Sequence, residues 1–169
     1  MAWVIVRGQF ILIDKKCERI SDESYNEAEN FDDGLAIVQK DHKSFFIDKN
    51  GKKITDEVYE YASVYTEGFA VFRKGGKWFF IDKTGSEVFN QKYDSAANFN
   101  CGLAAVEKNN KWFFIDKEGK ELSGDRYDST NGFSEGLACV TSGDQCFFVD
   151  TTGKEISEDR YDDASDFHD

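Results

Sequence analysis

Apolar and polar positions along this chain fall into short runs that come in pairs. One pair is Leu103-Ala104-Ala105-Val106-Glu107-Lys108 and Lys111-Trp112-Phe113-Phe114-Ile115-Asp116, separated by Asn109-Asn110. Two β-prone runs joined by two residues that accept positive φ predict a hairpin with a type I′ turn. The equivalent turn pairs are Arg7-Gly8, Asp41-His42, Gly75-Gly76 and Gly143-Asp144. A second turn follows each hairpin, as in Asp116-Lys117-Glu118-Gly119. Its Gly returns as Gly51, Gly85 and Gly153, with Cys17 in the same place near the start. That pattern predicts a type I turn closed by a left-handed residue. A short third strand then carries one apolar residue: Ile20, Ile54, Val88, Leu122 or Ile156.

After the third strand comes Tyr-x-x-Ala/Thr-x-x-aromatic. The Tyr is 25, 59, 93, 127 and 161; the aromatic is Phe31, Tyr65, Phe99, Phe133 and Phe167. The segment reads either as a fourth strand or as an ordered connector. The whole pattern repeats every 34 residues without insertion, marked by Gly34-Leu35-Ala36, Gly68-Phe69-Ala70, Gly102-Leu103-Ala104 and Gly136-Leu137-Ala138. Counting back from Ala36 lands on Ala2, so there are five units: 1–33, 34–67, 68–101, 102–135 and 136–169. The reading is one repeat domain over 1–169.

Register shows which faces are buried. With the turn at Asn109-Asn110, Ala104 and Val106 share a face with Phe113 and Ile115, and Leu103 and Ala105 share the other with Trp112 and Phe114. Both faces are apolar, so each small sheet needs cover on both sides, and neighbouring units must supply it. A 34-residue period is also that of helical tetratricopeptide units, but the strand-period pattern excludes helices. The expected fold is all-β: five tandem β-meander repeats forming a five-bladed β-propeller, with an open β-solenoid-like array as the alternative. Neither end reads as a polar cap, which favours closure or a piece of a longer array.

The units resemble the bacterial WG repeat (KWG-like). Lys77-Trp78-Phe79-Phe80-Ile81-Asp82-Lys83-Thr84-Gly85 with Tyr93-Asp94 and Phe99 carries the likeness, as does Lys111-Trp112-Phe113-Phe114-Ile115-Asp116 with Gly119, Tyr127-Asp128 and Phe133. It extends over the whole chain. Two features differ: Phe45, Phe79, Phe113 and Phe147 stand where the family has the Gly of Trp-Gly, and the chain contains no Pro. The resemblance implies an interaction module and brings no catalytic residues.

Charge narrows the partner class. The chain has 33 acidic and 21 basic residues, a net charge of −12. That disfavours nucleic acid and anionic membrane surfaces, both of which need basic patches. No apolar run is long enough for a transmembrane helix, and the start, Met1-Ala2-Trp3-Val4-Ile5-Val6-Arg7, follows the repeat rather than a signal peptide. The expected location is cytoplasmic. Cys17, Cys101, Cys139 and Cys146 occupy four different repeat positions, which points to free thiols rather than a disulfide or metal framework.

Candidate chemistry is sparse. His42 sits in a hairpin turn and His168 beside the last residue, and neither has a partner at metal-ligand spacing. The repeated Asp14, Asp48, Asp82, Asp116 and Asp150 invite a Ca²⁺ reading, but each opens a turn whose backbone N–H its carboxylate can accept. Tyr93-Asp94, Tyr127-Asp128 and Tyr161-Asp162 offer an aromatic face beside a carboxylate, as a sugar site does; the competing account packs the Tyr between units. No catalytic, cofactor or metal residues are assigned. The expected function is a non-catalytic binding or scaffold module presenting an acidic surface to a protein partner, a basic one by charge. The alternative is a multivalent glycan-binding protein.

Overall fold

The computed structural model describes residues 1–31, 34–54 and 59–164. None of them is helical. Each unit opens with its predicted hairpin: β1 (Ala2–Val6) with β2 (Gln9–Ile13), β4 (Leu35–Lys40) with β5 (Lys43–Asp48), β7 (Phe69–Lys74) with β8 (Lys77–Asp82), β10 (Leu103–Lys108) with β11 (Lys111–Asp116), and β13 (Leu137–Ser142) with β14 (Gln145–Asp150). The pairing at β10 and β11 sets Ala104 opposite Ile115 and Val106 opposite Phe113, as the two-residue turn requires.

Backbone angles at the turns follow the residues there. Both central residues have positive φ at Arg7-Gly8, Asp41-His42, Gly75-Gly76 and Asn109-Asn110, as a type I′ turn demands. The fifth turn differs: Gly143 has positive φ and Asp144 does not, the φ pattern of a type II′ turn, whose first central position favours Gly. At the second turn Gly51, Gly85, Gly119 and Gly153 are left-handed, each donating its N–H to the carbonyl of the turn's Asp. Cys17 takes the same conformation, with φ 64°, although it carries a Cβ.

The Tyr-x-x-Ala segment, open in the sequence, is shared between two sheets. Its Tyr bridges the second strand of its own hairpin: Phe10 with Tyr25, Ser44 with Tyr59, Trp78 with Tyr93, Trp112 with Tyr127 and Cys146 with Tyr161. Two residues later the chain pairs with the first strand of the next unit. Thus β3 (Glu27–Ala28) pairs with β4, β6 (Tyr61–Ala62) with β7, β9 (Ser95–Ala96) with β10, and β12 (Ser129–Ser134) with β13. The sheet orders are β1-β2, β3-β4-β5, β6-β7-β8, β9-β10-β11 and β12-β13-β14. Sharing explains how 34 residues suffice, since every sheet after the first borrows its opening strand from the preceding repeat. In β12 the pairing shifts between Thr130 and Phe133, a bulge that contains left-handed Gly132.

By its contacts the chain divides into two compact units, Met1–Gly75 with Ile81–Ser86, and Gly76–Phe80 with Glu87–Asp169. One packing rule holds inside each. In the first, Leu12 and Tyr25 pack on Ala36, Val38, Phe45 and Ile47. In the second, Leu103, Ala105, Phe114 and Tyr127 pack on Ala138, Val140, Phe147 and Val149. One face of a sheet therefore covers the opposite face of the next, which is why both faces read as apolar. The Phe residues that replace the repeat's Gly are buried here. Their rings meet the Tyr of the preceding repeat: Tyr25–Phe45 at 6.0 Å, Tyr93–Phe113 at 6.2 Å and Tyr127–Phe147 at 6.1 Å. Edge-on aromatic contacts of this kind add roughly 0.5–1.5 kcal/mol beyond the area they bury.

Candidate functional site

Each repeated polar residue has a task within the fold. Asp48 Oδ1 accepts the N–H groups of Asn50 (2.8 Å) and Lys52 (2.9 Å). Asp14, Asp82, Asp116 and Asp150 do the same in their own turns. Burial opposes ionisation of Asp48, but these N–H groups outweigh it and hold the carboxyl below the usual aspartate value. At Asp150 the Thr152 hydroxyl and then the turn N–H groups have that effect. The five carboxylates serve five separate turns. Among the described residues no three His, Cys, Asp or Glu side chains group as metal ligands would.

The tyrosines considered for a sugar site divide into two kinds. Tyr25, Tyr59, Tyr93 and Tyr127 are between 1% and 5% exposed, and Tyr161 is 42% exposed. Burial pushes the phenols of Tyr25, Tyr93 and Tyr127 up. Tyr65 is raised in the same way, and its hydroxyl donates to the Asp82 carbonyl at 2.9 Å. The residue after each buried Tyr is a latch onto the following hairpin. Asn26 Oδ1 accepts the Asp41 N–H (2.9 Å), Glu60 Oε1 that of Gly75 (2.9 Å), Asp94 Oδ2 that of Asn109 (2.8 Å) and Asp128 Oδ2 that of Gly143 (2.9 Å). Asp94 also pairs with Lys77, and Asp128 with Lys111. The Lys partner first, and the turn N–H second, hold both carboxyls below their usual range. Tyr93 and Tyr127 are thus turned inward as packing rings, while Asp94 and Asp128 cap hairpin turns at the surface. Only Tyr161, of the three candidates, presents its ring.

Cations cover the Phe residues from outside. The Arg126 guanidinium lies 4.2 Å from the Phe113 ring centre and is held by Glu121 at 2.6 Å; Arg160 repeats this over Phe147 (4.2 Å) with Glu155 (2.6 Å). Beside them a hollow of about 260 Å³ is lined by Asp125, Arg126, Tyr127, Ser142, Phe147, Gly153 and Glu155. Its lining is mostly polar, Tyr127 and Phe147 are both buried, and Arg160 covers the Phe147 ring, so it offers no stacking face. His42 sits in its hairpin turn with φ 61°; His168 lies outside the described residues.

Sequence reasoning missed one exposed feature. Tyr61 is 47% exposed and Val64 48%. Other repeats have Glu27, Ser95, Ser129 and Asp163 in place of Tyr61, and Asn30, Asn98, Gly132 and Asp166 in place of Val64. The signal was available as a departure from the repeat toward apolar residues, three positions apart on the connector. Glu60 and Arg73 flank it, 3.5 Å apart.

Comparisons with known proteins bear on this architecture. The pattern described as "WG containing repeat" matches residues 24–43, 45–78, 78–112, 112–146 and 147–169. No curated protein matches the chain. Among solved structures, Kluyveromyces lactis Hsv2 is similar at 13% identity, covering 94% of this chain and 59% of that one, with a TM-score of 0.55. The form described with a complete loop 6CD gives 12% identity, 94% and 58% coverage and a TM-score of 0.56. The WD40 β-propeller domain of Doa1 gives 14% identity, 95% and 64% coverage and a TM-score of 0.40. The chain thus spans less than two thirds of the Hsv2 length. At such identities the Hsv2 likeness speaks to fold alone: all-β, built of propeller-type repeats. With its turns, shared connectors and matched residues in agreement, the chain belongs to the WG-containing-repeat family.

Proposed function

We propose that this chain is a non-catalytic binding module that holds a protein partner on the exposed surface of its repeats. The observation that carries the reading is the exposed pair Tyr61 and Val64. The repeated Asp and Tyr chemistry is spent on turns, packing and caps, whereas this pair departs from the repeat and faces solvent. An exposed Tyr beside an aliphatic residue is the composition of an interface anchor. The net charge of −12 adds steering toward a basic partner. A glycan reading finds less support, because four of the five repeat tyrosines are buried.

The test replaces the pair with residues found at the same places in another repeat, Tyr61→Ser with Val64→Asn. Exposed substitutions of this kind change stability by about 0.5 kcal/mol or less. Wild type and variant are compared for quantitative capture of proteins from the source lysate at low and high salt. The expected result is a partner that is salt-sensitive on the wild type and lost from the variant at unchanged melting temperature. Equal capture by both would contradict the reading.

A further inference from the structure

Four junctions inside the chain use one set of bonds. The residue after the Tyr donates its N–H to a carbonyl on the next unit's first strand: Asn26 to Gln39 (2.7 Å), Glu60 to Arg73 (2.9 Å), Asp94 to Glu107 (2.8 Å) and Asp128 to Thr141 (2.7 Å). Its side chain caps the following hairpin turn. A fifth such residue is Asp162, followed by Asp163 and by Ala164 at the repeat's Ala/Thr position. Asp162–Ala164 lie outside any strand. The first strand that would receive such a segment is β1, which pairs with β2 and, among the described residues, has no strand on its other edge.

The exposed apolar residues mark the same two places. Of the seven large apolar side chains exposed among the described residues, Met1, Ile5 and Val6 belong to the first repeat and Ile156 and Tyr161 to the last. We propose that the connector Asp162–Ala164 of one copy adds to the β1 edge of a second copy, in the register of the four internal junctions. By that register Asp162 N–H donates to the Ile5 carbonyl and Ala164 lies opposite Val4. The Asp162 carboxylate caps the Arg7-Gly8 turn, where the Arg7 side chain supplies a complementary charge. Within its own repeat Asp162 has Gln145 at the place where Asp94 has Lys77 and Asp128 has Lys111. The second copy is the occupant favoured because the segment that fits this edge is encoded in the chain and, among the described residues, pairs with no strand of its own copy, and because its four internal equivalents fix the geometry. Strand addition at an open edge is a general mode of association, and this contact is head-to-tail, so each copy keeps one donor and one acceptor.

Sedimentation velocity of the wild-type chain over a concentration series reads the proposal. Head-to-tail species that grow with concentration are expected. Asp162→Pro removes the donated N–H and should abolish them. Arg7→Asp sets like charges at the turn cap, in a residue type that tolerates positive φ, and should also abolish them. An equimolar mixture of the two variants retains one competent donor and one competent acceptor, so it should form a heterodimer and stop there. A wild type that stays monomeric at every concentration overturns the proposal, as does association indifferent to Asp162→Pro.

Discussion

Tyr127 and Tyr161 occupy the same place in consecutive repeats, yet one is 5% exposed and the other 42%. Both N–H groups donate to the second strand of their own hairpin, Tyr127 to Trp112 at 2.9 Å and Tyr161 to Cys146 at 3.0 Å. The local structure is therefore equal. Both rings meet a Phe of their own repeat, Phe114 at 5.9 Å and Phe148 at 6.1 Å; the difference is the next repeat, where the Tyr127 ring also meets Phe147 at 6.1 Å. In this family member the sequence of a unit shapes its hairpin, and the following unit buries it.

The largest expected effect breaks that comparison directly. Tyr127→Ala should cost about 3–5 kcal/mol, as removal of a buried aromatic does, while Tyr161→Ala should cost well under half as much in urea unfolding of the monomer. Equal losses would mean that burial at Tyr127 is not what stabilises it. Next in size is Gly119→Ala. A Cβ there would stand 2.6 Å from Phe89 Cδ1 at a φ of 76°, so a loss of roughly 1–3 kcal/mol is expected. Cys17 holds the equivalent turn position with a Cβ already in place. Cys17→Gly should raise stability by up to about 1 kcal/mol, the sign opposite to that at Gly119. An unchanged melting temperature would show that the Cys17 turn is unstrained.

The smallest effect is electrostatic. The folded-state carboxyls of Asp94 and Asp128 titrate below their ordinary value, which is about 3.9 in an unfolded chain. As the pH falls, the unfolded chain therefore takes up protons first. The stabilisation is fully present above that ordinary value and is lost as the pH drops through the lowered folded values. Asp94→Asn with Asp128→Asn should flatten the acid limb of a stability profile and reduce its sensitivity to salt, since both pairs are exposed. An acid limb identical to that of the wild type would remove these caps from the account.

Much of the fold was legible because hairpins write themselves locally. Asn109-Asn110 and Asp116-x-x-Gly119 specify turns through φ alone, and the turns then set the register of the strands between them. The connector was less legible. Glu27–Ala28 and Ser95–Ala96 are two-residue strands, too short for a period, and their partners lie in the next repeat. The place of the Phe at 113 and 147 depends on Tyr93 and Tyr127 of the preceding repeat, contacts that no local pattern encodes. Gly143-Asp144 carried a signal for its own turn type, with Gly at the first position alone. The exposed pair Tyr61 and Val64 departs from the repeat, so the 34-residue pattern carries no expectation for it.

Amide hydrogen exchange on a dilute, monomeric sample tests the shared-connector account most directly. The Asp94 and Asp128 amides donate to the next sheet, at 2.8 and 2.7 Å, whereas among the described residues no sheet follows Asp162. The account predicts strong protection at Asp94 and Asp128 and exchange near the unprotected rate at Asp162. Equal protection at all three, or fast exchange at Asp94 and Asp128, would contradict it.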